Sequence, residues 1–287
     1  MAVDVIVAIP WRTKRSARGR APDQSRILLL VFWLSGSALA AFIAIPLLGL
    51  AAMPSGAALV QVAAEPSVRQ AIALSLEASF LTVAFAALLG VALAYVLARL
   101  SFPGKGVLAA LLDLPLAVPH PVAGIALLSV FGRRGVLGMP AAALFGLRFW
   151  GTLAGIVAAM LFVAAPYTVS AARIGFENVD PRLEKVARTL GLGPWRTFWR
   201  VTLPLARRSI MTGLVLTYAR AISEFGAVAI LAYYPMTAPI KVYELFLRFG
   251  LDEAAAMAVL LLIVCLALFI LFRRLVYGNA APAGIGR

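Results

Sequence analysis

Six runs of apolar residues dominate the chain and limit what it can fold into. They fall at 27–53, 71–98, 107–130, 152–172, 209–234 and 254–272. A helix needs about 20 residues to cross a hydrocarbon core of ~30 Å, and it satisfies all its backbone groups internally. Membrane-spanning strands would instead show alternation over stretches of ~10 residues, and these runs are long and continuous. The composition agrees. The chain is 63% hydrophobic, against ~45–50% apolar residues in soluble domains. The expected fold class is an all-α integral membrane protein with six transmembrane helices. The runs divide the 287 residues into a basic arm over 1–26, a transmembrane domain over 27–276 and a Gly/Ala/Pro-rich tail over 277–287. The first run follows basic residues and contains Ala38-Leu-Ala40, a pattern seen at signal-peptide cleavage sites. Apolar residues continue through Ala52, too long for a removable signal, so an uncleaved anchor is expected.

The net charge of +14 would suit a nucleic-acid-binding protein if it sat on soluble modules. It sits instead between and beyond the apolar runs, and no nucleic-acid partner is expected. With the N-terminus inside, 19 Lys and Arg fall on the inner side and 6 on the outer, with Arg220 within a run. Positive charge concentrates on the cytoplasmic side of membrane proteins, so both termini are placed in the cytoplasm. One cysteine, Cys265, and one histidine, His120, leave no internal disulfide and no multi-histidine or cysteine metal cluster.

The loop between the fourth and fifth runs, 173–208, is the one long polar stretch inside the transmembrane domain. Asp180-Pro181 reads as an N-cap followed by proline at the first helical position. A helix over 181–190 aligns Leu183, Val186, Ala187 and Leu190 on one face, with Arg182, Lys185 and Arg188 mostly elsewhere. Gly191 to Gly193 breaks it, and Pro194 opens a second helical stretch carrying Trp195, Phe198 and Trp199. Two readings fit: an interfacial helix that anchors the loop at the headgroups, or a helix that docks a partner.

The spacing in this loop resembles the EAA motif of ABC-importer permease subunits. That motif runs E-A-A, three residues, G, nine residues, I, one residue, L-P. Here Gly191 is followed by nine residues, Val201 replaces the isoleucine, and Leu203-Pro204 complete the pattern. Lys185, Val186 and Ala187 occupy the E-A-A positions, and Glu184 precedes them by one, a shift that oxyanion permeases share. The wider sequence resembles the molybdate/tungstate permease branch, with sulfate permeases close by, through ARLSFPGK at 98–105, DLPLAVPHPVAGI at 113–125, ARAISEFGAV at 219–228 and AYYPMTAP at 232–239. The resemblance implies a type I ABC importer permease fold with cytoplasmic coupling helices. Glu184, Lys185, Val186, Ala187, Gly191, Val201, Leu203 and Pro204 would then carry ATPase coupling. It further implies a homodimer in the inner membrane, two ATP-binding cassette subunits that bind ATP-Mg, and an extracytoplasmic oxyanion-binding protein. The chain has no Walker A sequence and no catalytic or cofactor residues of its own are expected.

The polar residues inside the runs leave alternatives open. Arg220 and Glu224 lie four apart on the fifth run and share a side. A charge at the bilayer centre costs ~2.5–3.5 kcal/mol on insertion scales, so both are expected to face the bundle. With Ser223 they form either part of a pathway or gate, or a structural ion pair. Asp113, Pro115, Pro119, His120 and Pro121 make the third run a candidate gating segment, because prolines free backbone groups that must face protein or water. The preferred reading of His120 itself is a hydrogen-bonded structural residue. Glu77 is not assigned. Arg133, Arg134 and Arg148 are read as solvated charge or as contacts for a binding protein or a dianion, and Tyr233-Tyr234-Pro235 as an interfacial belt or a gate element. Three rivals stand beside the molybdate/tungstate importer: a sulfate/thiosulfate permease of the same architecture, an ion-coupled secondary transporter using Arg220, Glu224 and Asp113, and a membrane-embedded enzyme. The scattered carboxylates, with one histidine and one cysteine, argue against the enzyme.

Overall fold

A computed structural model describes residues 23–277; the arm before residue 23 and the tail after 277 lie outside them. Residues up to Leu50 form one unit and those from Ala51 onward another. The first unit holds α1 (Asp23–Ala52) up to Leu50, a continuous apolar helix with Pro46 inside it. Ser35 and Ser37 donate their hydroxyl protons to the carbonyls of Val31 and Leu34, which hides two polar groups within an oily segment.

The second unit is helical throughout. Ser55 caps α2 (Gly56–Ala64) by accepting from the Ala58 N–H. Pro66, at the position where a missing N–H does no harm, opens α3 (Pro66–Phe85). A π-helical stretch, Ala86–Gly90, then joins α3 to α4 (Val91–Arg99), and together they make one apolar rod over Pro66–Arg99. Gly90 faces Val169 and Thr168 of the later apolar run at ordinary van der Waals distance. After the left-handed Gly104 come α5 (Lys105–Ala117) and α6 (His120–Phe131), bent 118° from one another. Pro119 causes the bend: it pushes Val118 to an extended conformation and itself stays extended. Next come α7 (Gly138–Phe145), α8 (Leu153–Glu177), α9 (Pro181–Thr189) and α10 (Pro194–Thr197), and a second π-helical stretch, Phe198–Thr202, leads into α11 (Leu203–Ile222). The chain closes with α12 (Gly226–Leu231), α13 (Ala238–Phe249) and α14 (Leu251–Tyr277).

Among the described residues four helices are long and apolar enough to cross a membrane, and the bent pair α5–α6 is a fifth candidate. The fifth apolar run, expected as one segment, is divided. Helix α11 stops at Ile222, and the backbone leaves the helix over 223–225 before α12 begins.

Helix α8 is the centre of the packing. Its partner α11 approaches through small residues: a side chain on Gly213 would collide with Ala171 and Thr168, and one on Gly175 with Ser209. Close approach of this kind drives helix association where lipid is as apolar as the side chains. Thr168 and Thr217 hydroxyls meet at 2.6 Å across the same seam, and Thr217 donates to the Ala164 carbonyl. One apolar cluster joins α8 to α6 and α12 through Ile156, Met160, Val228 and Leu231. A second joins α4, α8 and α11 through Leu97, Phe176 and Ile210, beside the tilted rings of Tyr95 and Phe198. A third holds α3, α13 and α14 through Val68, Leu245 and Met257.

Candidate coupling and gating sites

Two polar constellations stand out, one at each end of α11. At its N-terminal end lies α9. Asp180 accepts from the Arg182 N–H at 2.8 Å and Pro181 takes the first helical position. The C-terminus closes with paired turns: Leu192 N–H to the Ala187 carbonyl, and Gly191 N–H to the Arg188 carbonyl. This capping geometry needs a left-handed residue, and Gly191 supplies it at φ +86°.

The orientation of α9 inverts ordinary amphipathic logic. Glu184 faces inward and is 8% exposed, with Ala187 beside it, while Leu183, Val186 and Leu190 face outward. Leu190 is 77% exposed and Trp195, on α10, 72%. The four residues expected on one apolar face are therefore split: Ala187 packs against the bundle and the three larger ones are left uncovered. Lys185 and Arg188 are exposed beside them.

What holds Glu184 inside is a compact set of donors. Its Oε1 accepts from Arg99 Nε at 3.0 Å, Arg99 Nη2 at 2.8 Å and Thr202 Oγ1 at 2.9 Å. Arg99 Nη2 also donates to the Val179 carbonyl at 3.0 Å. Arg99 ends α4, Val179 lies between α8 and α9, and Thr202 ends the π-helical stretch before α11. Arg99 and Thr202 do not figure among the sequence-derived site residues. The signals for them were slight: a lone basic residue where the second apolar run stops, and the one unspecified position between Val201 and Leu203. Val201 is half-buried, and Leu203 and Pro204 begin α11.

At the other end of α11 the Arg220 guanidinium bridges two broken helices. Its Nη2 donates to Glu224 Oε2 at 2.5 Å and meets His120 Nε2 at 2.8 Å. Glu224, only 1% exposed, uses its second oxygen to accept from the Ala227 N–H at 2.8 Å, so it caps the first turn of α12. His120 is the first residue of α6, directly after the bend at Pro119. Gly226 lets the His120 and Pro121 backbone approach: a side chain there would come within 2.8 Å of His120 Cβ. Gly124 plays the same part against Ala227 and Ile230. The bend in α5–α6 and the break in α11–α12 are thus locked face to face. Ser223, exposed in the break, donates to the Arg220 carbonyl. Asp113 lies apart on α5, exposed, with a long 3.4 Å contact from Ser170 Oγ. Among the described residues no group of three His, Cys, Asp or Glu gathers to hold a metal.

Two further charged groups have definite partners. The Arg133 guanidinium stacks over the Trp150 ring at 5.4 Å, and Arg134 is exposed. On α13, Glu244 receives Lys241 Nζ and Arg248 Nη1, each at 2.8 Å. The hydrogen bond from Lys241, then that from Arg248, holds the Glu244 carboxyl below the ordinary glutamate value.

Long apolar helices around a buried ion pair, with an exposed polar segment between two of them, define the class of multi-pass membrane proteins. The model of the binding-protein-dependent transport system inner membrane component family matches residues 86–282, and the chain belongs to that family. It is 43% identical, over 86% of its own length and 96% of the relative's, to a molybdate/tungstate transport system permease protein of Thermococcus kodakarensis. It is 41% identical to the molybdenum transport system permease protein of Escherichia coli, over 65% of this chain and 83% of that one. A bacterial alginate ABC transporter solved with its periplasmic protein shares the fold, with a TM-score of 0.72 over 88% of this chain and 95% of that one at 18% identity. The chain is accordingly a non-catalytic, multi-pass permease subunit of an ABC importer, and the ATP is hydrolysed by a separate subunit.

Proposed function

We propose that the chain forms the membrane pathway for molybdate or tungstate delivered by an external binding protein. Two copies surround the pathway and two ATPase subunits seat beneath α9 and α10. The observation that carries the coupling half of this reading is the outward face of α9. Leu183, Val186 and Leu190 stand uncovered beside Lys185 and Arg188, and a family of ATP-driven importers supplies the partner that covers them. Counting the bent pair as the third crossing and α11–α12 as the fifth gives six, and the distribution of Lys and Arg then supports a cytoplasmic position for α9. Exposed polar groups support a dimer. His120 and Ser223 of the second constellation, and Asp113 apart from it on α5, are exposed within apolar segments. Such groups need a water-filled or protein wall, which a second copy related by a two-fold axis provides.

The substrate reading rests on the 43% identity to a molybdate/tungstate permease. The pathway needs no tight cage, because a site that bound the dianion strongly would slow its release, and selection is left to the binding protein. Glu224, already committed to Arg220 and to the Ala227 N–H, adds little repulsion toward a passing anion. The test is uptake into vesicles holding this chain, its ATPase and its binding protein. ATP-dependent entry of labelled molybdate or tungstate is expected. Entry of sulfate alone would replace the substrate, and entry without any ATPase would replace the mechanism with ion-coupled transport.

A further inference from the structure

We propose that Glu184 is a positioning residue that transmits the movement of α9 to the membrane helices, and that it makes no contact with the ATPase. The inference rests on the reading of α9 and α10 as the docking segment and assigns the mechanical role within it.

The geometry argues against a docking role for this carboxylate. Glu184 is 8% exposed, and its Oε1 already gathers three donors. Those donors come from elements far apart in sequence. Arg99 is the last residue of α4, and through the π-helical join α4 continues α3 across the membrane domain. Thr202, fully buried, closes the π-helical stretch directly before α11. By also holding the Val179 carbonyl, Arg99 ties in the end of α8. One oxygen atom therefore joins α9 to the ends of α4 and α11, and Arg99 extends the node to the end of α8. Charge-assisted hydrogen bonds in a half-dry site are stiffer than the neutral contacts around them. A displacement of α9 by a partner cannot leave α4 and α11 where they stand without breaking them. The neighbouring rings of Tyr95, Phe176 and Phe198, centroids 5.0 to 6.1 Å apart, pack the same three helices together beside the node.

Helix α11 carries the displacement onward. Its 20 residues make a rod on the order of 30 Å long. The Glu184 node lies at one end and Arg220, which locks the bend of α5–α6 to the break of α11–α12, at the other. The exposed Leu190, at the C-terminal cap of α9, and the buried Glu184 within it thus divide the work: the first is offered to the partner, the second holds the lever to the bundle.

The two roles separate in a reconstituted complex of permease, ATPase and binding protein. Glu184→Gln and Thr202→Val are expected to retain ATPase co-purification and ATP hydrolysis, while oxyanion uptake per ATP falls about five-fold or more. Thr202→Ser, which keeps the hydroxyl, is expected to behave as wild type. The exchange Arg99→Glu with Glu184→Arg is expected to recover part of the loss. Loss of the ATPase in Glu184→Gln, with Thr202→Val unaffected, would make Glu184 a docking contact and overturn the proposal. Unchanged uptake per ATP in both variants would reduce the node to ordinary packing and overturn it too. Leu190→Asp is the separate control on the docking reading, expected to lose the ATPase; full co-purification and uptake in that variant would remove the docking reading itself.

Discussion

Gly191 shows how one residue's backbone can matter more than its surroundings. A side chain there would meet nothing within 4 Å, so bulk is no obstacle. The constraint is φ at +86°, which an L-residue pays for with about 1–2 kcal/mol of strain. Gly191→Ala is expected to lower the thermal midpoint of the purified permease modestly, Gly191→Val more, and Gly191→Asn least, since Asn tolerates the left-handed region. Arg220 and Glu224 respond differently. Arg220→Met leaves a carboxylate 1% exposed without its counter-charge, a loss of about 3–5 kcal/mol. Adding Glu224→Gln keeps an oxygen for the Ala227 N–H and removes the stranded charge, so the double variant is expected to regain most of that stability in thermal melts while oxyanion uptake stays low. Recovery of uptake together with stability would assign the pair to packing alone. Both positions are readable in sequence: a glycine between two amphipathic segments, and opposite charges four apart in an apolar run. The inward turn of Glu184 is not readable, because spacing defines faces without saying which one the bundle claims. Arg99 and Thr202 decide that, from 85 and 18 residues away.

Whole elements follow the same division between local and distant causes. The bend between α5 and α6 is written in Pro119 and Pro121, whose missing N–H groups break any ladder. The break after Ile222 has no proline to announce it. It forms because Glu224 caps α12 with its own side chain and because Gly226 receives His120 and Pro121 from α6, which are tertiary facts. The exposed apolar face of α9 is likewise visible as a periodicity, but its direction depends on the Glu184 node. Helix α13, between the fifth and sixth apolar runs, carries a local network with a definite pH response. Lys241 and Arg248 lower the Glu244 pKa from its ordinary 4.5. A carboxyl with a depressed folded-state pKa adds stability fully present above the unfolded value and lost as pH falls through the folded one. Glu244→Gln is therefore expected to melt below wild type at neutral pH, and the two curves to converge as the pH falls through the lowered pKa of the folded-state carboxyl. Midpoints measured across that range, with a constant gap between the proteins, would show that the carboxylate's charge is not what stabilises α13.

For the molecule as a whole, composition and run length account for most of the architecture. An all-helical chain follows from continuous apolar segments, because only internally bonded backbone survives in hydrocarbon. What they leave open is which way the protein faces, and every functional reading depends on that. Lys and Arg divide 19 to 6 between the two sides, with eight of the 19 lying between Arg173 and Arg208, the stretch that contains α9 and α10. Retaining that charge on the cytoplasmic face puts the uncovered leucines of α9 where an ATPase can reach them, and puts Arg134 and α13 where a binding protein arrives. The arrangement is checked by cysteine labelling, for which the chain is well suited: Cys265 is its single cysteine and lies half-buried in an apolar helix. In a Cys265→Ser background, Arg134→Cys is expected to react with a membrane-impermeant maleimide on intact spheroplasts. Lys185→Cys is expected to react only after the membrane is opened. Both side chains are exposed in the chain by itself, so in cells that make the permease without its ATPase a failure to label reports sidedness and not burial. The reverse pattern would set α9 on the outer face, away from any nucleotide, and no ATPase could then act through the Glu184 node.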